Sequence, residues 1–298
     1  MLDARHIGPE VVERYLRHHG LAARKRLSQN HLVDGEVLDA IVEAAEPTPG
    51  RPVLEIGPGI GILTGALLAA GAYVTAVEVD ARLAAHLRER FEGETRFHLV
   101  EADALDVPVD ELVRGPYDLV ANLPYHITSP VLHHVLEAET RPERFVLMVQ
   151  REVAERIASP PGGMSYLSVF VQYHADVRVL RVVPASAFEP APEVESAVLV
   201  GSTRPRRLDA AAEEDLWRLV QAGFRERRKM IHNVLPRQLP SVGEGRFSAA
   251  LEALGIARDR RPQTLSVDEW LALAAALGPL DASSEPGAPD APDATAEP

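Results

Sequence analysis

The 298-residue chain predicts an α/β fold with a small helical domain at its C-terminal end. Three observations carry this. Between Pro52 and Val149, short apolar runs alternate with helix-period segments, the pattern of a parallel sheet covered by helices on both faces. A glycine-rich turn, Glu55-Ile-Gly57-Pro-Gly59-Ile-Gly61, joins the first of these runs to the first of these helices. From Asp209 the strand-like runs stop and helical patterning takes over.

Each element has its own local reason. Pro9 suits the first turn of a short helix ending near His19. Asp34 reads as the N-cap of a helix to about Ala45, broken by Pro47 and Pro49-Gly50. The strands are Pro52–Ile56, Ala72–Glu78, Phe97–Glu101, Asp118–Ala121 and Phe145–Val149. Helices at Gly61–Ala70, Ala81–Phe91 and Ser129–Ala138 separate them. Leu167–Tyr173 and Glu195–Val200 read as closing strands. One long helix is expected from Ala210 to Val234, then helices near Phe247–Leu254 and Ser266–Leu277. The Pro/Ala/Asp/Ser/Glu tail after Leu280 lacks the apolar residues of a core and is expected to be disordered. The implied organisation is an arm (1–30), an α/β domain (31–203), a helical domain (204–280) and an acidic tail (281–298).

Composition removes several chemistries. There is no cysteine, so disulfides, thiolate metal sites and thiol nucleophiles are excluded. Carbon methylation of a pyrimidine, which leans on a thiol nucleophile, is disfavoured with them, and no metal is expected. No apolar run approaches the ~18–20 residues of a membrane span, and the first residues lack the apolar stretch of a secretion signal. A cytoplasmic protein is expected. The formal charge of −13 opposes a nucleic-acid partner taken alone. However, the bases cluster: Arg24-Lys25-Arg26, Arg204 with Arg206-Arg207, Arg225 with Arg227-Arg228-Lys229, and Arg258 with Arg260-Arg261. Clusters, more than net charge, make a phosphate footprint. Solvated helix faces are the alternative.

The chemistry concentrates at strand ends. The glycine spacing is Gly-x-Gly-x-Gly, which weakens a dinucleotide reading. Such a loop lets backbone approach a ligand, although it also serves as a plain tight turn. Glu78 ends the second strand and suits ribose hydroxyls. Asp103 follows the third and suits an adenine amine. After the fourth strand comes Asn122-Leu123-Pro124-Tyr125. An Asn amide, a Pro-stiffened carbonyl and a Tyr ring can together hold a planar aromatic amine, which points to methyl transfer onto an exocyclic nucleobase nitrogen. The alternative is a Pro-containing turn with Tyr in the core.

Taken together these segments resemble the S-adenosylmethionine-dependent methyltransferases with a Rossmann-like sheet. Within them the chain resembles the rRNA adenine N6-dimethyltransferases of the KsgA/RsmA family. The resemblance rests on Ser28–Asp34, Glu55–Gly61, Val77–Asp80, Glu101–Asp103, Asn122–Ile127, Phe188–Ser196 and Phe224–Asn233, and spans about Leu21 to Leu277. It implies that Asn30, Leu32, Gly57, Glu78, Asp103 and Asn122 hold S-adenosylmethionine. Asn122 and the Leu123 carbonyl would accept the two N–H groups of an adenine amine, with Tyr125 and Phe188 enclosing the base. Arg225, Arg228 and Lys229, placed at i, i+3, i+4 on the long helix, would contact phosphates; a face paired with Glu213 and Glu226 is the alternative.

The implied reaction is dimethylation of two adjacent adenosines near the 3′ end of 16S rRNA within an immature 30S subunit, by a monomer. A large-subunit (23S) methyltransferase conferring macrolide resistance and a non-catalytic assembly factor are the competing readings. Two positions depart from the family pattern: Ser28 stands where Gly is usual and His31 where Phe is usual. The His31 ring reads as a packing substitution or as a proton carrier.

Overall fold

The computed structural model describes residues 7–21 and 29–280. Ser28, the Arg24-Lys25-Arg26 run and the tail 281–298 lie outside the described residues. Helix α1 (Pro9–His18) precedes a two-residue strand, β1 (His31–Leu32), and helix α2 (Gly35–Ala45). The Asp34 side chain caps α2 by accepting from Val37 N at 3.1 Å. The alternating half then runs β2 (Pro52–Ile56), α3 (Ile62–Ala69), β3 (Tyr73–Glu78), α4 (Ala81–Arg90), β4 (Phe97–Glu101), α5 (Val109–Leu112), β5 (Asp118–Asn122), α6 (Thr128–Glu137) and β6 (Arg144–Gln150). Helices α7 (Arg151–Ile157) and α8 (Tyr166–His174) lead to β7 (Ala175–Val183), a two-residue β8 (Phe188–Glu189) and β9 (Ser196–Thr203).

Strands β4-β3-β2-β5-β6-β9-β7 form one sheet. The first five are parallel, and β9 runs antiparallel to both β6 and β7. Leu119 to Ala121 of β5 and Phe145 to Val149 of β6 are buried without alternation, because helices cover both faces. The order reverses between β2 and β5, with β3 and β4 on one side and β6 on the other. A crevice therefore opens at the carboxyl ends of β2 and β5, where open α/β sheets bind ligands. Gly201 faces Phe145 across the β6–β9 ladder. A Cβ there would lie 2.0 Å from Phe145 Cζ, so this register admits the ring only beside a glycine.

Separately, β1 and β8 pair antiparallel, joining His31 to Glu189 and Leu32 to Phe188. This long-range pair has no signature in either two-residue segment.

Helices α9 (Ala210–Phe224), α10 (Ile231–Gln238), α11 (Glu244–Ala253) and α12 (Val267–Leu277) follow. Asp209 caps α9, and a reciprocal Ser266–Glu269 capping box starts α12. Their core centres on fully buried Trp270 and Phe247. Gly223 makes room for the indole, since a Cβ would lie 2.5 Å from Trp270 Cη2.

Two expectations are corrected. Leu167–Tyr173 is helical, not a strand. Ser165 and Ser168 exchange hydrogen bonds, the Ser168 N–H donating to Ser165 Oγ at 3.2 Å and the Ser165 N–H to Ser168 Oγ at 2.9 Å. Tyr166, Phe170 and Tyr173 then meet Trp217 of α9 at ring separations of 6.2, 5.2 and 5.1 Å. Packing onto α9 outweighs the strand preference of the β-branched and aromatic residues. This also moves the domain division. Residues up to Ala158 with His174–Arg204 form one compact unit, and Ser159–Tyr173 join those from Pro205 in the second.

The long helix expected from Ala210 to Val234 is also two helices. It stops at Phe224, and a turn precedes α10. A straight continuation would carry the chain away from its core by 1.5 Å per residue. The break instead buries Ile231, Val234 and Leu235, with Ile231 N–H donating to Arg260 O at 2.7 Å.

Candidate active site

The crevice at the sheet's switch point is a cavity built from the first unit alone. The ends of β2, β3 and β4 contribute Gly57, Glu78 and Asp103. The end of β5 contributes Asn122, Leu123 and Tyr125. The β1–β8 pair and its approach contribute Asn30, Leu32 and Phe188. Nine residues singled out from sequence thus meet around one space.

Gly57, Gly59 and Gly61 have φ of 69°, 60° and 79°, a left-handed conformation that side chains resist. A Cβ on Gly57 would sit 3.6 Å from Pro124 Cδ, so the loop after β2 lies against the turn after β5. The Glu78 carboxylate secures this loop by accepting from Gly59 N at 3.2 Å and from Asp80 N at 2.9 Å. Burial raises its pKa, and these backbone bonds oppose the rise. Asp80 caps α4 and accepts from the Arg82 side chain at 2.8 Å and from Gln29 Nε2 at 3.3 Å. Burial pushes that carboxyl up, but these hydrogen bonds prevail and hold it at about 2.

Beneath the loop, Glu55 is fully buried and accepts from Thr64 Oγ1 at 2.7 Å. Burial lifts it to about 8 despite that bond, so it is mostly protonated at neutral pH. Asp103 is exposed and accepts from Leu105 N at 3.0 Å, keeping lone pairs for a ligand.

At the end of β5, Leu123 N–H donates to Met148 O at 3.1 Å. Asn122 Nδ2 donates to Asn30 O at 3.2 Å, which leaves the amide oxygen to accept. The Tyr125 hydroxyl shares a 2.7 Å hydrogen bond with Ser196 Oγ at the start of β9, and burial raises its pKa. The strand and turn patterns did not single out Ser196 as this ring's anchor; its place after Phe188-Glu-Pro-Ala-Pro-Glu-Val194 was the available signal. His31 lies against the same glycine loop. Its ring packs where a Gly59 Cβ would fall 3.3 Å from Nδ1, and burial holds its pKa at about 4. A neutral packing ring fits this environment.

Arg225, Arg228 and Lys229 belong to the second unit. They lie in the exposed turn after α9, not on one helix face. Arg225 Nη1 donates to Gln238 Oε1 at 3.1 Å, while Glu226 pairs with Arg237 and Gln238. Arg204, Arg206 and Arg207 pair with Asp176, Glu213 and Asp268. Among the described residues no cluster suits a metal ion, and no helix is long and apolar enough to cross a membrane.

A mostly parallel sheet with a left-handed glycine loop, acids at successive strand ends and an Asn-Leu-Pro-Tyr turn defines a Rossmann-like methyltransferase. The chain belongs to the ribosomal RNA adenine dimethylase family, whose profile matches residues 20–277. It is an rRNA adenine dimethyltransferase, and S-adenosylmethionine is its methyl donor. The chain is 40% identical over 264 residues to the Dehalococcoides mccartyi protein named ribosomal RNA small subunit methyltransferase A, covering 88% of this chain and 89% of that one. A Synechococcus protein of the same name is 45% identical over 260 residues, with 84% and 91% covered. Among solved structures, the 23S rRNA methyltransferase ErmE superposes with TM-score 0.68 at 33% identity, over 83% of this chain and 99% of that one. A Plasmodium falciparum dimethyladenosine transferase gives 0.69 at 25% identity, over 82% and 95%.

Proposed function

We propose that this enzyme dimethylates the exocyclic N6 of two adjacent adenosines in a hairpin loop near the 3′ end of 16S rRNA, acting as a cytoplasmic monomer on the immature 30S subunit. The observation that carries the chemistry is the Asn122 amide, whose nitrogen is committed to Asn30 O and whose oxygen is left to accept. An adenine amine is a weak nucleophile because its lone pair is delocalised into the ring. Accepting its two N–H groups at Asn122 Oδ1 and the Leu123 carbonyl favours a pyramidal nitrogen, an interaction that strengthens as positive charge develops. The proton leaves after the nitrogen becomes cationic, so no general base is needed beforehand. Tyr125 and Phe188 hold the flipped base by its faces, and a loop base is cheap to extrude.

Bound S-adenosylmethionine supplies an electrophilic methyl group on a sulfonium. The residues present fit it. Three glycines remove the side chains that would fill the cradle, Glu78 keeps lone pairs for ribose hydroxyls, and Asp103 can accept from the adenine amine. Asn30 and Leu32 line the same cavity and would help to hold the donor.

The relatives named for the small subunit match at 40–45% identity, against 33% for the 23S enzyme of the same fold, which favours the 16S target. A labelled methyl donor offered to unmethylated 30S and 50S subunits tests this. Incorporation into 16S rRNA alone, with dimethyladenosine on digestion, is expected. Incorporation into 23S rRNA would establish the resistance-type target, and no incorporation would leave an assembly factor.

A further inference from the structure

One part-buried network beside the cavity has no part in the chemistry above. Helix α4 packs against the glycine loop at Gly61, where a Cβ would lie 2.8 Å from Phe91 and 2.9 Å from Leu87. From the last turn of the same helix, Arg90 Nη1 donates to the carbonyl of Ile60, inside the loop. The guanidinium stands 5.2 Å over the Phe91 ring. A Cβ on Gly65 of α3 would lie 3.5 Å from its Nη2. Tyr15 of α1 reaches the same helix, its hydroxyl 3.0 Å from His86 Nε2.

With Nε2 unprotonated on a neutral imidazole, the Tyr15 hydroxyl donates to His86 Nε2. That arrangement requires a neutral His86. Burial, with His19 and Arg90 nearby, holds the imidazole at about 4. The ring of His19 lies 4.4 Å from Tyr15 and 5.0 Å from His86, closing the cluster over α4.

A run of left-handed glycines is intrinsically free to sample other conformations. Glu78 and the Val77 carbonyl hold Gly59 and Gly57 on the β3 side. Arg90 holds the α4 side, at the Ile60 carbonyl. We propose that Arg90 is a positioning residue that sets the glycine loop for the methyl donor, and that Tyr15 of the N-terminal helix steadies the helix that carries it through His86. Helix α1 is thereby part of the donor site without touching the donor. This rests on the assignment of the cavity to S-adenosylmethionine.

The test uses the full chain and S-adenosylhomocysteine, titrated calorimetrically into Arg90→Met, Arg90→Lys, Tyr15→Phe and Glu78→Ala. Thermal unfolding without ligand and steady-state kinetics on unmethylated 30S subunits accompany it. Loss of a charge-assisted bond predicts about tenfold weaker binding for Arg90→Met. Arg90→Lys, which can still reach a carbonyl, should recover most of the affinity, and Tyr15→Phe should lose about threefold. The KM for the donor should rise in step, with kcat at saturating donor within about twofold of the parent.

Homocysteine-product binding by Arg90→Met within twofold of the parent overturns the proposal. So does a failure of Lys to recover affinity, or a kcat loss at unchanged KM. Should Arg90→Met not fold, Arg90→Lys and Tyr15→Phe decide on the same criteria. Undiminished binding by Glu78→Ala overturns the cavity assignment together with this proposal. Weakened binding there with normal Arg90→Met overturns the positioning role alone.

Discussion

The Asn122–Tyr125 turn and the Arg225–Lys229 turn are both short, polar and suited to address a nucleic acid, yet they are held in opposite ways. The first is pinned at each residue that matters: Asn122 to Asn30, Leu123 to Met148, Tyr125 to Ser196. Its partners lie 92 residues upstream and 71 downstream for the two side chains. The second is exposed, and its contacts run to α10 about a dozen residues on, such as Arg225 to Gln238. The difference suits the roles proposed for the two turns. Presenting two acceptors to one amine needs groups fixed before the substrate arrives. Attracting phosphates needs charge that can be redirected, and exposed ion pairs worth about 1 kcal/mol or less exchange readily for a phosphate.

The largest expected effect tests the pinned turn. Asn122→Ala should lower kcat by about 10²–10³-fold, the usual loss for one aligned polar group at a reacting centre. Affinity for 30S subunits, measured by filter binding, should stay within a few-fold. Lost RNA binding with normal turnover would place the residue on the wrong side of the comparison.

Next, Tyr125→Ala should cost about 1–3 kcal/mol in substrate base stacking, while Tyr125→Phe, which keeps the ring and gives up the Ser196 bond, should cost far less. Equal losses in single-turnover rates would assign the role to the hydroxyl.

For the exposed turn, replacing Arg225, Arg228 and Lys229 together should weaken RNA binding and shrink its salt dependence. On single-stranded RNA each lost phosphate contact removes about 0.7 from the slope of log K against log salt. An unchanged slope would make the turn structural.

The smallest effect concerns His31 and is read in stability. Its imidazole sits at about 4 when folded, against 6.5 when exposed. The unfolded chain therefore takes up a proton below pH 6.5 that the native ring refuses. The stability this neutral ring supports is complete above pH 6.5 and lost as pH falls toward 4. The Tm of His31→Phe should decline less steeply between pH 7 and 5 than that of the parent. Parallel curves would mean that His31 is not buried in solution.

Much of this was legible in the sequence because its cause is local. Alternating apolar runs specify strands and helices through side-chain periodicity. Glycines at 57, 59 and 61 announce close turns, and Asp34 announces a helix start through its cap. The acids at 78 and 103 and the Asn122 turn could be placed at one sheet edge, since parallel strands bring their carboxyl ends together.

What failed had a non-local cause. Leu167–Tyr173 carries the β-branched and aromatic residues of a strand, and only packing against Trp217 makes it a helix. The Phe224–Lys229 segment carries helix formers, and only the docking of Ile231 against Arg260 ends the helix there. That error put three basic residues on a helix face that does not exist.

By itself, then, the sequence determined the order of elements, the glycine cradle, the strand-end acids and the acceptor turn, because each rests on interactions within a few residues or on strand polarity. The tertiary structure alone decided which distant groups complete the site. It set Asn30 against Asn122, Ser196 against Tyr125, Leu32 beside Phe188, Tyr15 against His86, and Arg90 against Ile60 in the glycine loop. Such contacts join residues far apart in the chain, and their energies exist only once the sheet has brought their elements together.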